Sequence, residues 1–193
     1  MFQKQIRPAL LSFVILTILT GIVYPFLVTG LAQLLFPRQA NGSLIYREGK
    51  AVGSIFIGQA FDNPGYFWGR LSATSPVPYN AASSSGSSLG PANPALIDEV
   101  KARIDALQRV DPDNKSLIPV DLVTSSASGL DPHISLSAAD YQVPRVARFR
   151  TLPQDTVEAV VRQHVRHRFL GWLGEPVVNV LETNLALDQL GNK

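Results

Sequence analysis

Between Ala9 and Phe36 the chain reads ALLSFVILTILTGIVYPFLVTGLAQLLF, 28 residues without a charge, bracketed by Arg7 and Arg38. As a helix rising about 1.5 Å per residue it is about 42 Å long, whereas the hydrocarbon core of a bilayer requires only about 20 residues. A cleavable leader would have an apolar run of about 7 to 15 residues followed by a small-residue cleavage site. Neither is evident, so the stretch reads as a retained transmembrane helix. Pro25 has no backbone N–H and presses on the carbonyl of Gly21, so a kink is expected between them. Thr17 and Gly21 lie four residues apart, a stripe of small residues along which another helix could approach closely. Such residues also occur in any membrane helix, and spacing alone does not separate the two readings. No ionisable side chain lies within the stretch, so the helix is not expected to conduct an ion itself. Lys4 and Arg7 on one side stand against Arg38, Arg47 and Lys50 on the other, with Glu48 as a partial offset, so charge leaves the orientation open.

The whole chain has 193 residues, 46% hydrophobic and 17% charged. At about 150 residues per domain that is room for one sizeable core and little more. The sequence contains no cysteine, which removes disulfide scaffolds, thiolate zinc sites, cysteine nucleophiles and cysteine-bound iron–sulfur clusters. All 15 acidic residues lie beyond position 47, and residues 37–193 carry 15 basic against 15 acidic side chains. A nucleic-acid binder needs a clustered basic surface, and this balance argues against one. The organisation expected is a short N-terminal segment 1–8, a transmembrane helix 9–36 and one α+β domain 37–193.

Within that domain Leu44–Arg47 and Ala51–Ile57 are β-favouring runs around Glu48-Gly49-Lys50, which predicts a hairpin. Phe61, Tyr66, Phe67 and Trp68 follow and read as core. From Ala73 to Pro94 the composition turns to Ser, Pro, Gly and Asn, too long for an ordinary connection, and reads either as a binding lip or as a mobile surface insert. Asn93 then caps and Pro94 opens a helix with Leu96, Ile97, Val100, Ile104 and Leu107 on one face, stopped at Asp111-Pro112. Leu117–Val123 is expected as a short edge strand because of Pro119. Ser137 with Asp140 predicts the start of a helix reaching about Arg150 and bent or interrupted by Pro144; Thr151-Leu152-Pro153-Gln154 reads as a capping box for the next, with Val157, Val160, Val161 and Val165 buried. Pro176–Val180 is a final strand and Leu181–Leu190 a final helix.

Several patterns bear on chemistry. No two glycines four apart are followed by Lys and Ser or Thr, so the P-loop class of nucleotide hydrolysis is excluded. His164 and His167 are surrounded by Arg162, Arg166 and Arg168, which oppose a metal cation and suit a solvated basic face. His133, in an Asp-Pro-His turn, reads as structural. The Ser125–Asp131 loop, Ser-Ser-Ala-Ser-Gly-Leu-Asp, is where an anion cradle or nucleophile could be argued, but neither Gly-x-Ser-x-Gly nor Ser-x-x-Lys is present. A tight turn setting Leu130 under the following helix is the preferred reading.

The ordered set Arg7-Pro8-Ala9-Leu10, Tyr24-Pro25, Gln39-Ala40-Asn41-Gly42-Ser43-Leu44, Ile57-Gly58-Gln59, Gly69-Arg70, Pro78-Tyr79-Asn80, Ser87-Ser88-Leu89-Gly90-Pro91, Leu122 to Asp131, Gln142-Val143-Pro144-Arg145-Val146-Ala147, Pro176-Val177-Val178-Asn179 and Asn184-Leu185-Ala186-Leu187-Asp188 resembles the KdpC family, the small subunit of the Kdp potassium-transporting P-type ATPase, from end to end. Thr183 departs from it, standing where the family more usually carries an apolar residue.

The resemblance implies a non-catalytic accessory subunit of a high-affinity potassium uptake system. Its partners would be KdpB, which hydrolyses ATP, KdpA, which carries the potassium filter, and the small KdpF. The chain itself lacks the Asp-Lys-Thr-Gly-Thr phosphorylation sequence and any Thr-Val-Gly-Tyr-Gly-like filter. The implied topology is a single pass through the inner membrane, N-terminus cytoplasmic and residues 37–193 extracytoplasmic. The family is described as a catalytic chaperone that raises the ATP affinity of KdpB in a ternary complex, and Ser128 and Gly129 would be the nucleotide-affinity positions. Thr17, Gly21, Tyr24 and Pro25 would face partners in the membrane, and Tyr79 and Asn80 mark the candidate binding loop; no catalytic and no metal-binding residue is expected. Since an extracytoplasmic domain cannot touch cytoplasmic ATP, an effect on affinity would have to be a coupling free energy sent through the helix. Capping of KdpA at the ion entrance suits the topology better. The competing classes are an anchored extracytoplasmic hydrolase built on Ser128 and an anchored binding module using the 73–94 loop.

Overall fold

The structure, a computed structural model, describes residues 2–191, with side chains from 5 to 190, so Lys4 of the N-terminal cation pair falls outside the described side chains. The chain divides into two units, residues 1–44 and 45–193.

The first unit is helical. Helix α1 (Phe2–Ile18) runs through a π-helical turn (Leu19–Val23) into α2 (Tyr24–Leu35), and a short α3 (Pro37–Ala40) follows. Gln5–Leu35 forms 31 residues long and apolar enough to cross a membrane, with none of its side chains buried. The helix between Gly21 and Pro25 contains that π turn, in which the Tyr24 N–H reaches back to the Leu19 carbonyl. Widening the helix by one residue is a usual way to seat a proline that can neither donate a hydrogen bond nor tolerate the preceding carbonyl. Phe36, at φ −138° and ψ 55°, leaves the helix.

In the second unit, β1 (Leu44–Arg47) and β2 (Lys50–Ser54) pair as the expected hairpin. Glu48 and Gly49 take φ +50° and +77° at its turn, the left-handed pair that matches strand twist. β2 stops at Ser54, short of the expected Ile57, and no helix or named strand forms from residue 55 to 93. Helix α4 (Pro94–Val110) begins as expected, with the Asn93 side chain accepting from the Ala95 N–H at 3.0 Å, and ends at Asp111.

Local expectations fail at several further places. Leu117–Val123 is not a strand: Val120–Leu122 is a single 3-10 turn, with Leu117 94% and Val120 71% exposed. Pro119 lacks the N–H that a ladder needs, and the Leu122 carbonyl is taken by Arg103 Nε at 3.0 Å. The strand lies later, at β3 (His133–Ser135), followed by α5 (Leu136–Arg150). Its cap is Ser135, whose Oγ accepts from the Ala138 N–H at 3.0 Å, rather than Ser137 with Asp140, which instead pairs with Arg162. Pro144 sits inside α5 without ending it. The Thr151–Gln154 box does not form either: Thr151, at φ +55°, closes α5, and α6 (Gln154–Gln163) starts after Pro153 without a side-chain cap. Val157, Val160 and Val161 are buried as expected, while Val165 belongs to β4 (Val165–Arg166). β5 (Val177–Asn179) and α7 (Val180–Gly191) complete the chain. The sheet has the order β3-β5-β4, antiparallel throughout, with Ile134 and Val165 both opposite Val178. The fold is α+β.

Helix α5 is the centre of the core. Ala138, Ala139, Val143, Val146 and Ala147 are buried on it, against Val157 and Val161 of α6, Val178 of β5, Leu187 of α7, and Phe67 and Trp68. The last two arrive on irregular chain, whose backbone groups must still find partners once buried. Side-chain amides supply them. Asn184 accepts from the Phe67 N–H at 2.8 Å and donates to the Phe67 carbonyl at 3.0 Å. Gln142 does the same for Trp68, at 2.8 and 3.1 Å. Arg145, 1% exposed, donates to Gln142 Oε1 at 2.7 Å and to the Pro64 carbonyl, and its guanidinium lies 4.9 Å from the centroid of the Trp68 ring. Burial pushes that guanidinium down to about 10.

Thr183, the departure from the family pattern, is wholly buried and donates to the Asn179 carbonyl at 2.8 Å, so its hydroxyl is satisfied within the helix. Replacing Gln142 by Leu removes four hydrogen bonds, those with the Trp68 N–H and carbonyl, the Ala138 carbonyl and the Arg145 guanidinium, and is expected to destabilise the chain by about 3–5 kcal/mol. Arg162→Ala, which breaks a half-exposed ion pair with Asp140, should cost less than about 1 kcal/mol. Urea unfolding of the full chain in detergent micelles reads both, and equal midpoints for the two variants would refute the assignment.

Candidate functional site

The Ser125–Asp131 loop lies beside the irregular chain from Arg70 to Ser85. Leu71 and Ser125 form an isolated parallel bridge, and the Ser126 N–H donates to the Leu71 carbonyl at 3.1 Å. Gly129, at φ +67°, is required twice over: the conformation is one L side chains rarely adopt, and an added Cβ would sit 2.5 Å from Thr74 Cγ2 and 2.6 Å from the Ser85 carbonyl oxygen. Its N–H donates to the Ser126 carbonyl at 3.2 Å, and its carbonyl accepts from Ser72 Oγ at 2.7 Å.

Ser128 is exposed, yet its polar groups are engaged. Its Oγ accepts from the Leu130 N–H at 3.1 Å and its carbonyl accepts from Ser84 Oγ at 2.9 Å. The recorded partner of Ser128 Oγ is thus a backbone amide, not an imidazole or amine that could act as a base for a nucleophile.

Tyr79 and Asn80 belong to the same constellation. Tyr79, at φ +57°, has its N–H bonded to Ser72 Oγ at 2.8 Å, the hydroxyl that also holds Gly129. Its phenol donates to the Arg70 carbonyl at 2.6 Å; a Cβ on Gly58 would collide with its ring, and one on Gly69 would come within 2.9 Å of its hydroxyl oxygen. Burial raises the Tyr79 hydroxyl above its ordinary value. Asn80 accepts from the Ala82 N–H at 3.1 Å and donates to the Ser75 carbonyl at 2.9 Å, folding its own loop. The structure therefore brings the 73–94 loop and the Ser128–Gly129 loop together through Ser72, Thr74 and Ser84.

Arg70 is the residue the sequence reading assigned no role. It donates to Asp131 at 3.3 Å and to the Ser125 carbonyl at 3.2 Å, clamping both ends of the loop. Asp131 also accepts from the His133 N–H at 3.0 Å, and His133 Nδ1 lies 3.3 Å from the same oxygen. Burial alone would raise the Asp131 carboxyl, but the His133 hydrogen bonds and the His133 and Arg70 charges outweigh it and hold the group below the usual carboxylate range. Behind them Arg103 of α4 donates to the carbonyls of Gly69 and Leu122 and lies 4.9 Å from the Trp68 ring centroid. Burial depresses its pKa.

Two grooves flank Arg70, each of about 500 Å3. One is lined by Phe56, Ser126, Ser128 and Leu130, the other by Leu117, Val120, His133, Glu175 and Val177. The signal that could have found the Arg70 clamp was its pairing with an acidic residue some 60 positions away, which one sequence does not reveal.

The positions read as partner-facing belong to the N-terminal unit. Thr17 donates to the Phe13 carbonyl at 2.8 Å, Gly21 has open space around its Cα, and Tyr24 is 65% exposed. His164 ends α6 with Nδ1 2.8 Å from the Val160 carbonyl, and His167 is exposed. Among the described residues no group of three or more His, Asp or Glu side chains is placed to hold a metal ion.

Residues 6–189 match the model of the KdpC family, described as the c chain of the K+-transporting ATPase. The chain is 63% identical over 188 residues to the potassium-transporting ATPase KdpC subunit of Polaromonas naphthalenivorans, covering 97% of this chain and 96% of that one. It is 62% identical over 184 residues to the corresponding subunit of Herpetosiphon aurantiacus, 95% of each chain. For that of Methylococcus capsulatus the identity is 59% over 187 residues, 97% of this chain and 98% of the other. With a span-length apolar helix, an α+β domain and this near-complete likeness, the chain belongs to the KdpC family of potassium-transporting ATPase subunits.

Proposed function

We propose that this chain is a non-catalytic accessory subunit of the Kdp high-affinity, ATP-driven potassium uptake system, needed for its assembly. Its helix crosses the inner membrane once, with the N-terminus in the cytoplasm and residues 37–193 outside. There it docks with KdpA and KdpB, accompanied by KdpF. The observation that carries the reading is the likeness to KdpC subunits over residues 6–189 of a chain whose first unit is a span-length apolar helix.

In this reading the chain acts as a catalytic chaperone, raising the ATP affinity of KdpB, and its domain shapes the ion entrance above KdpA. The Ser128–Gly129 loop is then a positioning element rather than a nucleotide cradle. Its support is the bonding pattern: the Ser126, Gly129 and Leu130 N–H groups and the Ser128 and Gly129 carbonyls are all turned to partners within the domain. A nucleotide cradle would present such donors outward to phosphate. An effect on ATP affinity is therefore a coupling between two states of the complex, typically about 1–3 kcal/mol.

Two measurements test these statements. The chain has no native cysteine, so Ser85→Cys places a single thiol on the exposed 73–94 loop. An impermeant maleimide should label it on intact cells, and labelling that requires permeabilisation would overturn the topology. In purified pump, Gly129→Ala displaces the loop and should raise KM for ATP about fivefold or more, the lower end of ordinary coupling energies. A fully assembled complex carrying that variant with unchanged KM for ATP would remove the loop from the mechanism.

A further inference from the structure

Beyond β4 the chain runs out as a narrow extension. Phe169 and Leu173 face each other across an antiparallel bridge, with the Phe169 N–H on the Leu173 carbonyl at 2.8 Å and the reverse bond at 3.0 Å. Leu170 and Gly171 turn the tip at φ +53° and +82°. All four large side chains there are exposed: Phe169 by 68%, Leu170 by 71%, Trp172 by 70% and Leu173 by 51%. A leucine held at positive φ destabilises the fold, and these exposed apolar side chains add little to the core. Such a cluster marks an interaction surface.

We infer that the Phe169–Leu173 tip is a docking knob that seats in an apolar pocket of another subunit of the ATPase, a reading that rests on the membership proposed above. Two observations favour a protein pocket over a lipid surface. The cations flanking the tip are matched within the chain, Arg166 with Glu182 at 2.8 Å and Arg168 with Glu175 at 2.7 Å. The knob therefore brings little net charge for a dry pocket to compensate, and little attraction for anionic headgroups. Beyond the tip, Glu175 and Pro176 continue into the wall of the groove of about 500 Å3 that also holds Leu117 and Val120, both largely exposed. A knob beside a groove is complementary to a shaped protein surface. Aromatic anchors in desolvated pockets are where interface energy concentrates.

The test uses the whole complex in native membranes, with a photocrosslinking amino acid in place of Trp172 and, in a parallel preparation, in place of Thr17. An adduct from position 172 to another subunit of the ATPase is the expected result. Adducts from 172 to lipid alone, to a second copy of this chain alone, or to nothing, while position 17 still captures a subunit, would overturn the knob and leave membership standing. Failure at both positions overturns both. Trp172→Ser should reduce the amount of this chain retained through detergent purification about tenfold, with the thermal midpoint of the full chain changed by less than about 2 °C. Undiminished retention would count against the knob.

Discussion

The domain depends on two carboxamides. Gln142 and Asn184 each offer a carbonyl and an amine to the N–H and C=O of one residue, Trp68 and Phe67. Between them they do for two buried residues what a neighbouring strand would do. That substitution explains how almost 40 residues without regular structure can carry two of the largest core side chains. A buried backbone group without a partner costs about 1–3 kcal/mol, so without these amides the aromatic pair could not enter the core. Gln142 is in turn held by Arg145, whose guanidinium lies against the Trp68 ring. Aromatic, amide and cation are one cooperative unit.

The same logic reaches the loop at Ser128. Arg103, on the other cation contact to Trp68, fixes the Gly69 and Leu122 carbonyls. The next residue, Arg70, clamps both ends of the Ser125–Asp131 loop. The loop is thus wired to the core through consecutive residues 67 to 70, and a displacement at Gly129 has a continuous path of polar contacts to follow. In the proposed role that continuity is what a positioning element needs: coupling requires a packed element with two arrangements, not a ligand in contact.

What the sequence disclosed follows from which forces are local. The apolar run, the Asn93-Pro94 helix start, the Glu48-Gly49 turn and the valine stripe of α6 are set by neighbours within a few positions, and each is where its pattern put it. The failures are places where a distant partner wins. Ser135 caps α5 instead of Ser137 because Asp121 already holds the Ser135 N–H and hydroxyl, from 14 positions away. Leu117–Val123 has strand-like composition, but the carbonyl of Leu122 belongs to Arg103 and Pro119 offers no donor. The site was half legible: the small-residue loop stood out, while its clamp, Arg70 with Asp131, spans 61 positions and carries no local signature.

At a few positions the domain also departs from the usual distribution of side chains. Gln142, Arg145, Asn179, Thr183 and Asn184 are buried, whereas Leu117, Phe169, Leu170 and Trp172 are exposed. Polar groups inside demand the paired partners they have here, whereas apolar groups outside invite association. For a subunit the two halves have different tasks. The buried polar groups fix one backbone path through directional bonds, beside an apolar core that supplies most of the burial. The apolar exterior keeps its burial for assembly, where about 25 cal/mol is available for each Å2 removed from water. A family whose members are subunits of a potassium-transporting ATPase is where such a division is expected, and the hairpin tip and the groove beside it carry part of the exposed hydrophobic surface of this domain.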